Sequence, residues 1–254
     1  MTNYKITLFL LLSLGFFSCD SKIKSNTKIV ETENTKTMIS DPVPEVEEKN
    51  QYADTISINY LENKKLLEIL KLVPESTMGS WEWSKKEREK TVEFIEKNNF
   101  IVDTTEMYNT IKYIQPNTIG IQVVDGFWTL SIYQFDENDF FVVTNDMVGD
   151  GNDIQTFNFI NNKLTPTKMI NWFGEFYTNL LLNNSTDCIQ LLEENLLTFE
   201  YDFSDENMVE ISSWLLNKNE ADHCLKGNSI NYKLNKSKRT FEVTKIHWKE
   251  NTTE

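Results

Sequence analysis

Three carboxylates and an amide crowd into Asp146-Met147-Val148-Gly149-Asp150-Gly151-Asn152-Asp153. Asp146, Asp150, Asn152 and Asp153 around two glycines could wrap a hard cation, and calcium takes six to eight oxygen ligands of this kind. The spacing departs from the EF-hand loop, and no Glu follows at the bidentate position. Asp, Asn and Gly are also the residues of tight β-connections. The stretch therefore reads as a weak calcium site or as a turn. Only two histidines are present, His223 and His247. Asp222-His223-Cys224 resembles a triad written in a line, but neighbours on an extended chain point to opposite faces. His247 lies in an apolar strand pattern and reads as structural. So few nitrogen and sulfur ligands leave little for a zinc site.

No G-x-S-x-G nucleophile elbow, phosphate-cradling G-x-x-x-x-G-K or dinucleotide G-x-G-x-x-G occurs. No cofactor is expected. Paired carboxylates, as in glycan hydrolysis, are a reading that 39 acids keep open without favouring it. Six tryptophans and sixteen phenylalanines could line a groove for glycan or peptide. Trp128 and Trp248 fall in strand patterns and read as core. Trp81, Trp83 and Trp172 fall at element ends, where packing and groove lining compete.

The net charge is −14. That excludes nucleic acid and an anionic lipid surface as partners of the folded part, since both need a positive face. It permits a cationic protein, such as a lysozyme-like enzyme or a basic peptide.

The N-terminus carries Lys5, then an apolar run over 6–17, then Ser18-Cys19 and a polar stretch. The run has the length of an export-signal core and falls short of the ~20 apolar residues that span a bilayer. Ser18-Cys19 at its end resembles the lipobox of bacterial lipoproteins, with Phe16 and Phe17 where Leu and a small residue usually stand. The resemblance implies cleavage after residue 18, acylation of Cys19 and anchorage in the lipid bilayer, on the periplasmic or outer-membrane face. In that oxidising setting Cys188 and Cys224 are either a disulfide or two buried thiols. If formed, the bond closes a loop of about 35 residues, worth roughly 3–4 kcal/mol.

Residues 19–55 have scattered apolar positions, Pro42, Pro44 and clustered acids. Such a stretch buries too little surface to offset its ordering entropy, and reads as a flexible tether with a reach on the order of 30 Å. Residues 56–249 read as a folded region, one domain or two packed halves (56–168 and 169–249), and 250–254 as a tail.

Within the folded region, 60–73 has helical spacing and ends at Pro74. Ser84 and Glu87 form a capping box ahead of a helix to about Asn98. The period then changes to two, with strands at 118–124, 127–135, 139–145 and 154–160. Over 127–135 both alternating sets are apolar, so that strand is covered on both faces. Residues 168–196 lean helical. Strands resume at 197–203, 208–214, 229–234 and 240–248. The expected fold is α+β: N-terminal helices packed on an antiparallel β-meander, then a short helical insert and a second antiparallel β region.

Gly126-Phe127, Leu130, Ile132-Tyr133, Val143-Thr144-Asn145, Asn162-Lys163-Leu164 and the later Cys224-x-x-Gly227-Asn228-x-Ile230-x-Tyr232 are similar to strand and hairpin motifs of uncharacterised lipoproteins from Bacteroidetes. The likeness covers about a third of the chain. It implies a fold and an envelope location, and no activity or site residues. The expected function is thus a non-enzymatic binding or interaction domain on a lipid anchor. The alternatives are an inhibitor or immunity-type protein against a cationic hydrolase, and an envelope hydrolase with a carboxylate pair.

Overall fold

The computed structural model describes residues 55–79, 83–98, 101–103, 110–123, 126–149 and 151–250. The expected export signal, Cys19, the expected tether up to residue 54, Trp81, Asp150 and residues 251–254 of the expected tail lie outside the described residues.

In chain order the strands and helices are β1 (Thr55–Ser57), α1 (Lys64–Leu70), α2 (Lys85–Asn98), β2 (Ile101–Asp103), β3 (Thr110–Ile114), β4 (Thr118–Val123), β5 (Gly126–Asp136), β6 (Asp139–Val148), β7 (Gly151–Ile160) and β8 (Lys163–Thr167). There follow α3 (Ile170–Phe173), α4 (Phe176–Leu180), α5 (Thr186–Glu194), β9 (Phe199–Asp202), β10 (Met208–Ser213), α6 (Lys218–Ala221), β11 (Ser229–Asn235) and β12 (Thr240–His247).

The expected α+β arrangement, with N-terminal helices packed on a meander, is overturned. The described residues are mostly antiparallel β: six strands in the order β3-β4-β5-β6-β7-β8, four in the order β12-β11-β10-β9, and the short pair β1-β2. Helices are few, and apart from the 14-residue α2 they have nine residues or fewer. The helical spacing over 60–73 yields only seven helical residues, and Asn63 at the N-cap makes no side-chain capping bond. Stretches this short are marginal as helices without support. Residues 168–196 break into helices of four, five and nine residues. Two strands absent from the sequence reading widen the meander, β3 and β8. Pro166 obscures β8, but β8 is an edge strand, where a missing N–H is tolerated. Its register follows from Asn161 and Asn162, both at positive φ between the paired Ile160 and Lys163, the geometry of a two-residue hairpin.

β5 and β6 are apolar on both faces and separate two cores. On one face Trp128, Leu130, Ile132, Phe140 and Val142 cluster with Leu66, Leu67, Ile69, Leu70, Val92 and Ile95. On the other, Tyr133, Phe141 and Val143 cluster with Phe199, Val209, Ile211, Ile230, Tyr232 and Phe241 from the four-stranded sheet. Rings interlock there: Phe173 stacks on Phe241 at 4.6 Å and Phe141 meets Trp172 at 4.1 Å.

The edge strand β9 and Phe203 just after it are capped by side chains of the six-stranded sheet and its β3–β4 turn. The Phe203 carbonyl accepts from Tyr133 Oη (3.0 Å), Thr118 Oγ1 (3.1 Å) and Asn117 Nδ2 (3.2 Å). Asn152 Nδ2 donates to the Phe199 carbonyl at 3.1 Å. These bonds remove exposed acceptors that would otherwise recruit another strand. Cys188 in α5 and Cys224 after α6 are bonded to each other, with Cα atoms 5.0 Å apart.

A buried cation holds the first helices. Arg88 is fully buried. It donates to the Leu70 carbonyl (3.1 Å), the Val73 carbonyl (2.7 Å) and the Trp83 carbonyl. The Leu70 carbonyl ends α1, where unsatisfied carbonyls and the helix dipole favour positive charge, and the Val73 carbonyl lies in the turn that follows. Burial pulls the guanidinium below its ordinary pKa, while Glu75 and Glu89 oppose that shift.

Candidate functional site

The outward face of β9 and β10 carries the candidate site. Phe199, Tyr201 and Phe203 pack inward, so strand alternation turns Glu200 and Asp202 outward. Glu210 lies directly opposite Asp202, and Ser212 opposite Glu200, which puts all four on one face. Trp214 follows β10 and stays 51% exposed; Leu197, just before β9, is 79% exposed. The Trp214 backbone N–H donates to the Thr198 carbonyl at 3.4 Å, joining the two ends. The turn between β6 and β7 forms the far wall through Met147, Gly149, Gly151 and Asn152. Gly149 there sits at φ +58°, a left-handed geometry that glycine adopts without strain. Together these residues enclose a groove of about 550 Å³, within the range of ligand pockets.

The groove is acidic and partly apolar. Glu200 is exposed and forms no ion pair among the described residues. Asp202 Oδ1 accepts from the Ser204 N–H (2.9 Å) and Oγ (2.6 Å). Glu210 Oε1 accepts from Lys249 Nζ. The Lys249 backbone is pinned as well: its N–H donates to Asn228 Oδ1 at 2.7 Å, and its carbonyl accepts from Asn228 Nδ2 at 3.1 Å. An ammonium thus already lies against one groove carboxylate. Next to it, His247 faces Ser229 across the sheet. Burial first, then Lys245 and Lys249, hold its imidazole below the ordinary pKa, against Glu210.

The residues singled out from the sequence disperse. Asp146 and Asp153 lie directly opposite each other on β6 and β7, on the face toward Trp128. Asn152 is one position from Asp153 and so points to the other face. There its Oδ1 accepts from Asn145 Nδ2 at 2.9 Å while its Nδ2 caps Phe199. Asp146 is 4% exposed and Asp153 is exposed, accepting from Gln155 at 3.2 Å. Among the described residues no three His, Cys, Asp or Glu side chains gather as metal ligands. His223 is exposed, and Cys224 is in the disulfide and offers no thiol. Trp83, Trp128 and Trp172 are buried, and the Trp128 indole N–H donates to the Thr77 carbonyl at 2.8 Å.

Sequence reasoning missed Trp214 and Leu197 as a pair, because 17 positions and a strand turn separate them. The alternation places Leu197 inward in a strand 197–203 and Trp214 at the end of a strand 208–214, but β9 begins at Phe199 and β10 ends at Ser213, which leaves both residues outside the strands and exposed.

No protein-family model matches the chain, and no curated protein matches it. Among solved structures it is similar to a domain of an uncharacterized protein from Porphyromonas gingivalis W83, at 16% identity and a TM-score of 0.47, covering 71% of this chain and 98% of that one.

Proposed function

We propose that this protein is a non-enzymatic binding protein of the cell envelope, anchored through acylated Cys19, whose groove holds a cationic segment of a partner protein. The supporting observation is the meeting of an exposed indole and an exposed leucine with Glu200, Asp202 and Glu210 in one concavity. An aromatic face attracts Lys and Arg side chains, carboxylates pair with their charges, and Leu197 covers their aliphatic stems. Exposed apolar groups rimmed by charge are a usual mark of a binding surface. The net charge of −14 favours approach of a basic partner. Because the acids line a concavity, the shape suits an engulfed segment better than the convex acidic patch an inhibitor would present to a hydrolase cleft. The directly opposed Asp202 and Glu210 are the pair a hydrolase would use, but Glu210 is engaged by the half-exposed Lys249 ammonium, which a competing cation can displace. The tether then supplies reach from the bilayer to the partner.

Titration of the full-length protein with a tryptophan-free lysine-rich peptide tests the proposal, with intrinsic fluorescence as readout. The fluorescence change should disappear in Trp214→Phe. Affinity should fall steeply between 0.05 and 0.5 M salt, as screening predicts. A response unchanged in Trp214→Phe and in Glu200→Gln/Asp202→Asn would refute it.

A further inference from the structure

A second concavity has the opposite character. Several distant segments meet there: residues 61–66 around the start of α1, the β3–β4 turn, the facing ends of β5 and β6, the β9–β10 turn and the β11–β12 turn. They enclose about 460 Å³. In a chain with 39 acids and 25 bases, this cavity gathers Lys64, Lys65 and Lys236 against Glu62 and Glu206. Lys65 Nζ donates to Asn138 Oδ1 at 2.6 Å. Lys64 and Lys236 take part in none of the ion pairs among the described residues. The loop carrying Lys236 is held in place: Arg239 forms a two-pronged pair with Asp139, one prong at 2.8 Å, and lies 4.4 Å over the Phe135 ring.

The rest of the lining is of two kinds. Ile132 and Phe140 give an apolar floor, and Leu61, 79% exposed, an apolar rim. Asn63, Gln134 and Asn207 give side-chain amides. Asn63 and Gln134 each donate their amide nitrogen to a backbone carbonyl, at 2.9 and 3.3 Å, which leaves their oxygens as acceptors. Asn207 donates its backbone N–H to Asp205 at 2.8 Å, and its side-chain amide makes no hydrogen bond among the described residues.

Convergence of two exposed lysines outside the ion pairs of the described residues, amides open to the cavity and an apolar floor leads us to propose that this cavity binds an acidic saccharide unit, a sugar bearing a carboxylate or sulfate. The lysines, the amides and the apolar floor then each have a counterpart, and Glu62 and Glu206 are left to accept from ring hydroxyls. The ammonium groups, compact charges with rotatable donors, take the anion. The amides, which both donate and accept, read the ring hydroxyls. The floor and Leu61 cover the C–H face of the ring. A bare inorganic anion would leave the floor and amides unused, and a neutral sugar would leave the lysines unused. The site is separate from the acidic groove and shares none of its lining residues, so it stands or falls independently of the proposed function.

Calorimetric titration of the full-length protein with digalacturonate tests it. Digalacturonate should bind at least about ten-fold more tightly than its dimethyl ester, than sodium sulfate and than the dipeptide Glu-Glu, the loss expected for a charge-assisted hydrogen bond. Lys64→Gln and Lys236→Gln should each weaken it several-fold with an unchanged urea midpoint, since both side chains are exposed. Trp214→Ala should leave it intact. No heat at millimolar digalacturonate, equal binding of sulfate, ester or Glu-Glu, or indifference to both lysine substitutions would overturn the proposal.

Discussion

Opening the Cys188–Cys224 bond should cost about 4 kcal/mol of stability. The two cysteines are 36 positions apart, and the loop-closure entropy removed from the unfolded chain by a crosslink of that span corresponds to roughly 4 kcal/mol at 25 °C. The loop it closes contains all of β9 and β10, so the unfolded state gains freedom in the region that forms the groove. Reduction leaves both sulfurs in place in the second core, where both side chains are buried. It therefore isolates the loop effect. Cys188→Ala/Cys224→Ala adds a cavity term on the order of 1 kcal/mol and should be less stable than the reduced wild type. The assay is urea unfolding followed by circular dichroism, with and without dithiothreitol. With a slope of about 2–3 kcal/mol per molar for a fold of this size, the midpoint should drop by roughly 1.3–2 M. Coincident midpoints would refute the entropic reasoning. More than one reactive thiol per chain in unreduced, denatured protein, Cys19 being the third cysteine, would refute the bond itself.

Arg88→Met should destabilise by roughly 3 kcal/mol or more, because it strips the carbonyls of Leu70, Val73 and Trp83 of their buried donor; a urea midpoint within error of wild type would contradict that. Lys249→Gln should tighten binding of a lysine-rich peptide by several-fold, since the endogenous ammonium no longer competes for Glu210; weaker binding would mean that Lys249 shapes the groove instead. Stability should fall in two stages on acidification. The His247 imidazole is held below its ordinary 6.5 by burial and neighbouring lysines, so its contribution is present above that value and lost as pH falls through the folded pKa. The Glu87 carboxyl, lowered by its bonds to Ser84, and that of Glu242, lowered by Lys238, contribute above about 4.5 and lose that contribution as pH falls further. His247→Gln should remove only the upper stage, as followed by thermal melting across pH. Cys19→Ala should move the protein from the membrane fraction to the soluble one; retention in the membrane would sink the lipid-anchor proposal.

The sequence carried some of this architecture openly. The strands β4 to β7 announce themselves by alternation, and β5 by being apolar on both faces. The Ser84–Glu87 box is present, with bonds of 3.0 and 3.3 Å. Helix content was overread because helical spacing over 60–73 marks a buried stripe and not its length. β8 was missed because Pro166 looks like a stop unless the strand is known to be an edge. Adjacency misled at 146–153: nearness in sequence suggested a ligand cluster, but strand alternation places Asn152 and the Asp146–Asp153 pair on opposite faces. Both concavities depend on long-range pairing. The groove needs β9 beside β10 and the β6–β7 turn, and the basic cavity needs Lys64 brought to Lys236. No local pattern encodes either juxtaposition.

Amide chemical-shift mapping during titration with a lysine-rich peptide tests the groove most directly. Perturbations should concentrate in residues 147–152, 197–202 and 208–214, and should shrink in 0.5 M salt. Shifts confined to other surfaces, or none at saturating peptide, would contradict the assignment of the groove as the binding site.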